Sequence, residues 1–153
     1  MGNLAKFKSF LDYGIPGFVQ AAAAAALNGP QDYVLQMREI YMQRRDALVA
    51  ALGRAGWKAT APRATMYLWA RLPEAFRKAG SFAFCESLLL EEGVVLAPGV
   101  GFGPHGEGYV RFALVDDERR IEEAVERIAR FLKSARPGKK AARGGRTLLL
   151  AEH

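Results

Sequence analysis

Two apolar runs of β-strand character lie on either side of a glycine-rich loop between Val94 and Val115. The runs are residues 94–97 and 109–115, and glycines occupy positions 99, 101, 103, 106 and 108 between them. Arg111 is the only charged residue of the second run. Because a guanidinium does not give up its proton on burial, this side chain either escapes to solvent or is held to bind an anion. A lone arginine in a strand is more commonly structural or exposed than a ligand.

The loop residues 101–106, GFGPHG, match the G-x-G-x-x-G spacing of dinucleotide-binding folds. In those folds the glycines open a helix whose N-terminus meets the pyrophosphate. Here Pro104 interrupts the loop and a strand follows it. Nucleotide binding is therefore not expected, and a glycine-rich turn without a ligand is the ordinary interpretation.

The first half of the chain contains two helical patterns and two strand candidates. Residues 18–27 are rich in alanine and are stopped by Asn28-Gly29-Pro30, whereas residues 1–16 show no cap or clear period. Residues 31–54 are the longest periodic segment, about 35 Å as a helix. Residues 57–61 and 65–72 are strand candidates, each ended by a proline.

Two more helices follow in the second half. Ser81 is placed to cap a helix that runs to Glu91. Its expected inward-facing residues are Phe82, Cys85, Leu88 and Leu89. Asp116 or Asp117 opens a final helix, whose apolar stripe is Ile121, Val125, Ile128 and Leu132. The order of elements predicts an α+β fold in which helices cover one face of a small sheet.

The formal charge of +6 is concentrated at the C-terminus. Residues 134–153 hold five basic residues against Glu152, which leaves +2 for residues 1–133. We therefore expect a basic, disordered tail and no nucleic-acid binding by the folded part. No run is long enough to cross a bilayer, so no membrane association is expected. With Cys85 as the single cysteine, a reducing, cytoplasmic location is expected.

The other candidate side chains have simpler explanations than catalysis. His105 and His153 lack partners at metal-ligand spacing, so no metal site is predicted. Cys85 lies on an apolar helical stripe and is expected to be a small core residue. Arg44 and Arg45 are interpreted as a solvated helix face, with anion binding by one of them as the alternative.

Several stretches together resemble the C-terminal part of the class I/II aminotransferases, which use pyridoxal 5′-phosphate. These stretches are Gly2-Asn3, KSFLDYG at 8–14 with Gln20, Tyr41 with Arg44-Arg45-Asp46, Gly56-Trp57, ATMYLW at 64–69, and Pro98-Gly99-x-x-Phe102-Gly103 with Tyr109-Val110-Arg111-Phe112. They are collinear over residues 2 to about 132. Within the family the chain looks most similar to the alanine (glutamate–pyruvate) and LL-diaminopimelate aminotransferases.

The resemblance implies a role for two residues and a division of the chain. Arg111 would pair with the α-carboxylate of the substrate, and Phe102 would lie over that substrate on a loop whose glycines let it close. Residues 1–30 would be a remnant of the large cofactor-binding domain. Residues 31–133 would be the small C-terminal domain, beginning with a long linking helix, and 134–153 a tail outside the family pattern. The full-length family works as a homodimer on amino acids and 2-oxo acids.

The resemblance also implies that the chain is not catalytic alone. The family's Schiff-base lysine lies upstream of the segment that matches Gly2-Asn3, and none of Lys6, Lys8, Lys58 and Lys78 has its sequence context. Without that amine, no catalytic residue is assigned and cofactor binding by the chain alone is not expected. Two alternatives remain open: a non-catalytic α/β module that binds a partner, and a small-anion binder that uses Arg111 alone.

Overall fold

Five α-helices and a three-stranded sheet form the part of the chain that the structure, a computed structural model, describes: residues 2–11 and 14–134. The elements in chain order are α1 (Gly2–Leu11), α2 (Gly17–Asn28), α3 (Asp32–Arg54), β1 (Tyr67–Arg71), α4 (Ser81–Glu92), β2 (Ala97–Pro98), β3 (Tyr109–Ala113) and α5 (Glu118–Ser134). Short 3₁₀ turns lie at Glu74–Phe76, Gly99–Phe102 and Pro104–Gly106. The chain divides into two compact units between Glu39 and Ile40, within α3.

The sheet has the order β1-β3-β2, and both pairings are antiparallel. Arg111 in the central strand lies opposite Trp69 of β1 on one side and Ala97 of β2 on the other. Strand side chains alternate between the two faces. Arg111 therefore lies on the face opposite to Val110 and Phe112, both of which are buried.

The buried face of the sheet packs against helices and forms the core of the second unit. Its strand residues include Leu68, Ala70, Val110 and Phe112. The helices contribute Leu48, Ala51 and Leu52 from α3, Phe84, Cys85 and Leu88 from α4, and Ile121, Val125, Ile128 and Phe131 from α5. This arrangement, with helices on one face of a small antiparallel sheet, confirms the predicted α+β class.

The strand predicted at residues 57–61 is wrong, because this segment does not pair with the sheet in the structure. Its apolar side chain Trp57 is instead buried in the core, where its ring packs edge-on against Phe84 and Phe112. The indole Nε1 donates to the carbonyl of Arg71 at 2.8 Å. The strand predicted at 65–72 is confirmed over the shorter span of β1.

The helix predicted from Ser81 is confirmed, but the residues on its buried side were partly misassigned. Cys85 and Leu88 are buried as expected, whereas Phe82 is 62% and Leu89 47% exposed. Phe84 takes the inward position. The buried stripe therefore follows i, i+3, i+4 and i+7 from Ser81, the pattern of a helix with one face in the core. Gly80, rather than Ser81, occupies the N-cap position.

Helix α5 begins as predicted. Asp117 Oδ1 accepts a hydrogen bond from the backbone N–H of Arg120 at 2.8 Å, which is the geometry of an N-cap. Ile121, Val125 and Ile128 are buried, but Phe131 rather than Leu132 completes the stripe. The spacing of 4, 3 and 3 keeps all four side chains over the sheet.

The first apolar run pairs over less of its length than predicted. Val94 and Leu96 are buried and Val95 is exposed, so the alternation of a strand is present. Only Ala97 and Pro98 pair with β3. Residues 94–96 lie instead along one side of a cleft whose other side includes Ala113 and Val115.

The first unit contains a helix that the sequence did not predict, α1, together with the predicted α2 and the start of α3. No residue of α1 or α2 is buried. No described helix is long and apolar enough to cross a membrane. The predicted tail at 134–153 lies outside the described residues except for Ser134, which ends α5.

Candidate functional site

Four aromatic side chains lie near Arg111 on the face of the sheet that the helices leave uncovered, and two of them contact it. We call Tyr67, Trp69, Phe102 and Tyr109 the aromatic face. Tyr67 and Trp69 come from alternate positions of β1, Tyr109 from the start of β3, and Phe102 from the loop between β2 and β3. The alternation of the strands explains why these side chains share one side.

The Arg111 guanidinium lies over two of these rings. Its Cζ atom is 4.2 Å from the ring centroid of Tyr67 and 4.6 Å from that of Phe102. Tyr67 belongs to β1, whereas Phe102 belongs to the loop between β2 and β3, so the guanidinium connects two separate segments of the chain. Contacts of this kind attract a cation to the face of a ring and restrict its orientation. Arg111 is therefore held by its neighbours rather than extended into bulk water.

The guanidinium of Arg111 has no hydrogen-bond partner among the described residues. Its Nε atom is buried without an acceptor, and no described carboxylate forms an ion pair with the guanidinium. A buried donor that lacks an acceptor costs free energy, and a charged one costs more. The arrangement is therefore suited to an anionic oxygen ligand, because a planar guanidinium can offer two parallel N–H groups to one carboxylate.

The aromatic face is further ordered by contacts among its rings. Trp69 meets Phe102 edge-on at a centroid distance of 5.6 Å and stacks on Tyr109 at 5.7 Å. Phe102 thus contacts both Arg111 and Trp69, although 54% of its surface is exposed. The predicted site contained Arg111 and Phe102 but not the other three rings. The period-two pattern of β1 and β3 was the signal that could have identified them.

The glycine-rich loop folds in the context that disfavours nucleotide binding. The spacing G-x-G-x-x-G spans two 3₁₀ turns, Gly99–Phe102 and Pro104–Gly106, and then leads into β3. A helix N-terminus of the kind that binds pyrophosphate does not follow it. The loop instead carries Phe102 to the aromatic face.

The other candidate residues lie away from this face or have structural roles. Cys85 is buried in the core, as predicted, and this burial, with a smaller contribution from the charge of Glu107, raises the pKa of its thiol to about 11. His105 lies in the loop, and no group of three potential metal ligands occurs among the described residues.

Arg44 and Arg45 are not the solvated pair that was predicted, because both are only partly exposed and bind backbone carbonyls. Arg44 Nη1 donates to Leu114 at 3.2 Å, and Arg45 Nη1 to Pro62 at 3.4 Å. Arg45 also pairs with Asp46 at 2.6 Å. These side chains hold connections next to β1 and β3, which a surface pattern in sequence does not reveal.

Comparison with known proteins gives this geometry a context. The family model "Aminotransferase class I and II" matches residues 2–128. The glutamate-pyruvate aminotransferase AlaC of Escherichia coli is 46% identical over 125 residues, which cover 82% of this chain and 30% of that protein. The LL-diaminopimelate aminotransferase of Desulforudis audaxviator is 50% identical, with 82% and 31% covered. The chain spans about a third of the length of the curated relatives that it matches.

Comparison with solved structures leads to the same family as comparison with the curated sequences. BacF from Bacillus subtilis is similar with a TM-score of 0.72 and 34% identity, over 83% of this chain and 32% of that one. An aromatic aminotransferase from Pyrococcus horikoshii gives a TM-score of 0.69 and 35% identity, over 76% and 31%. The similarity confirms that the chain has part of the fold of the pyridoxal-phosphate-dependent aminotransferases. The chain therefore belongs to the class I and II aminotransferases.

Proposed function

We propose that this chain supplies the carboxylate-binding part of a pyridoxal-phosphate-dependent aminotransferase, with Arg111 binding the α-carboxylate of an amino acid or 2-oxo acid. The observation that carries the proposal is the guanidinium itself, held between Tyr67 and Phe102 with Nε buried and without a described acceptor. In the complete enzyme, which in this family is a homodimer, Phe102 would lie over the bound substrate.

The surroundings of Arg111 favour a carboxylate over other ligands. The rings of Tyr67 and Phe102 contact the guanidinium, and Arg111 is partly buried, which strengthens its interaction with a negative charge. A carboxylate matches the fork of N–H groups in shape and charge, whereas a lysine ammonium would offer only a point charge. The side chain thus both binds and orients a planar anion.

The residues around Arg111 do not fit the cofactor by themselves. In this family pyridoxal phosphate acts as an electron sink on a lysine amine. The two side chains that pack on the guanidinium of Arg111 are Tyr67 and Phe102, and neither offers an amine. We therefore assign no chemical step to this chain.

Residues 1–30 are proposed to belong with the family's large domain and residues 31–133 to be its small domain.

A titration of isotope-labelled full chain with pyruvate tests the proposal. We expect the Arg111 Nε–H signal to shift on binding. Replacing Arg111 with alanine should weaken binding by about 2 kcal/mol, roughly thirtyfold, and lysine should restore little of it. Arg71→Ala removes a charge at the other end of the same face and serves as the control. Equal pyruvate affinity in Arg111→Ala and Arg71→Ala would exclude the assignment.

Mixing the full chain with pyridoxal phosphate tests whether it acts alone. We expect the visible spectrum to be that of the free cofactor, and no transfer of an amino group from L-alanine to 2-oxoglutarate. A protein-bound absorption band that disappears when one of the chain's lysines is replaced would contradict this expectation.

The second candidate function, a partner-binding module without catalysis, is supported by the first unit. Its large apolar side chains on α1 are exposed: Leu4 by 68%, Phe7 by 64% and Phe10 by 76%. Surfaces of this kind bind partners or self-associate.

A further inference from the structure

We propose that Glu107 and Ser81 form a clasp that positions Phe102 over Arg111, so that Glu107 is a positioning residue for carboxylate binding although it does not contact the guanidinium. The carboxylate of Glu107 accepts hydrogen bonds from the backbone N–H groups of Ser81 at 2.6 Å and of Gly108 at 2.7 Å. Its second oxygen accepts from the Ser81 hydroxyl at 3.1 Å. This inference rests on the function proposed for Arg111.

Ser81 connects the clasp to the other end of the loop. Its side-chain oxygen accepts a hydrogen bond from the backbone N–H of Val100 at 3.2 Å. Ser81 is fully buried, and it is the first residue of α4. The N-terminal end of α4 thus holds both Val100, in the 3₁₀ turn that follows β2, and Glu107, two residues before β3. The segment between them cannot move away from α4 without breaking these bonds.

The electrostatics of the helix favour the clasp. The N–H groups of Gly108 and Ser81 lower the pKa of the Glu107 carboxyl below its ordinary value, so the group is charged at neutral pH. A negative charge at a helix N-terminus also interacts favourably with the helix dipole. Glu107 therefore provides for α4 the cap that Gly80 has no side chain to supply.

The backbone of the loop is itself held closed. A side chain at Gly99 would overlap the carbonyl of Gly106, and one at Gly106 would overlap the carbonyl of Gly99. The backbone of Gly99 is thus in direct contact with the backbone of Gly106. Gly103 adds a positive φ of 108° next to Phe102. Close approach, rather than freedom to move, explains the glycines at 99 and 106.

Phe102 depends on this anchoring for its position. With 54% of its surface exposed, its ring buries too little area to be fixed by packing alone. Its contacts with Arg111 and Trp69 are those that orient the guanidinium. Loss of the clasp should therefore release Phe102 first, and through it Arg111.

Exchange of the Arg111 Nε–H with solvent tests the clasp without a ligand. In the full chain, Glu107→Ala is expected to speed this exchange roughly tenfold, and to shift the signal as the Phe102 ring moves away. Glu107→Gln keeps an acceptor oxygen for the two backbone N–H groups and should restore most of the protection. Glu86→Ala, which removes an exposed acid from α4, the helix that begins at Ser81, is the control and should have no effect.

A double-mutant cycle with Phe102→Ala separates positioning from a general loss of structure. We expect Glu107→Ala to have no further effect on Nε–H exchange or pyruvate affinity once Phe102 is absent. Protection of the Val110 and Phe112 amides should be unchanged in all variants. Additive effects of the two substitutions, or unchanged exchange in Glu107→Ala, would overturn the proposal. If the wild-type chain fails to bind pyruvate, the function proposed for Arg111 fails, while the exchange measurements still decide the clasp.

Discussion

Thr65 has the only left-handed backbone among the described residues other than glycine, with a φ of 78°. A β-branched residue in this region is strained. Its hydroxyl oxygen accepts a hydrogen bond from the backbone N–H of Tyr67 at 2.9 Å. The strained residue thus lies two positions before Tyr67, the first residue of β1, and is hydrogen-bonded to it; the ring of Tyr67 packs on Arg111.

Two substitutions at Thr65 should have opposite effects on stability. Thr65→Asn should raise the free energy of unfolding by about 0.5–1 kcal/mol, because asparagine tolerates this backbone and offers an acceptor oxygen. Thr65→Val should lower it by about 1 kcal/mol, because it keeps the strain and loses the acceptor. Urea unfolding of the full chain measures both. A valine variant as stable as the wild-type chain would show that the hydrogen bond contributes nothing.

At the scale of elements, single residues stabilise the start of α5 and the conformation of the loop between β2 and β3. Asp117 caps α5, while its neighbour Asp116 forms an exposed pair with Arg120 at 3.5 Å. The loop depends on the close approach of Gly99 and Gly106. Each of these residues has a neighbour of the same type that lacks its role: Asp116 does not cap α5 as Asp117 does, and Gly101 is not in close contact with the backbone as Gly99 is.

Asp117→Ala should destabilise the chain by about 1 kcal/mol, because it leaves the N–H of Arg120 without its acceptor. Asp116→Ala should cost less than about 0.5 kcal/mol, because exposed ion pairs contribute little. Thermal unfolding followed by circular dichroism compares the two variants. Equal losses of stability in the two variants would mean that negative charge near the start of α5, rather than the N-cap hydrogen bond, stabilises the helix.

Gly99→Ala should destabilise the chain by about 2–3 kcal/mol, because the added methyl group would overlap backbone atoms of Gly106 and Tyr109 that cannot move away independently. A methyl group at Gly101 meets no atom within 4 Å, so Gly101→Ala should change stability by less than about 0.5 kcal/mol. Denaturant unfolding measures both variants. A tolerant Gly99 would indicate that the loop can open.

At the scale of the whole molecule, the two units differ in how they bury apolar surface. The second unit has a continuous core that includes Leu52, Leu68 and Ile128. In the first unit α1 and α2 bury no residue. Helices without a buried face depend on other surfaces for their stability.

We expect the full chain to bind a hydrophobic dye such as anilinonaphthalene sulfonate, and to self-associate with rising concentration. Replacing Phe7 and Phe10 with serine should reduce the dye signal and the association. Leu90→Ser, which changes a side chain 78% exposed on α4, should reduce them less because it removes a single isolated side chain. Fluorescence and analytical ultracentrifugation measure these effects. A monomer without dye binding would contradict the proposed exposure.

The sequence was sufficient for the elements whose patterns are local. The long α3 and three of the four buried residues of α5 follow from apolar spacing, and residue chemistry limited the cap of α5 to Asp116 or Asp117. Arg111 was also identified as a candidate ligand from the sequence, because a charge in an apolar strand requires an explanation. The α+β class followed from the order of these elements.

Only the tertiary structure decided which apolar residues are inside and what surrounds Arg111. Trp57 looked like part of a strand, but its ring is buried by Phe84 and Phe112, which are distant in the chain. Tyr67 and Phe102 meet on Arg111, and Glu107 reaches Ser81, only because the strands pair and α4 packs beside them. Local spacing determines secondary structure through short-range hydrogen bonds and sterics, whereas these contacts depend on packing between segments far apart in sequence.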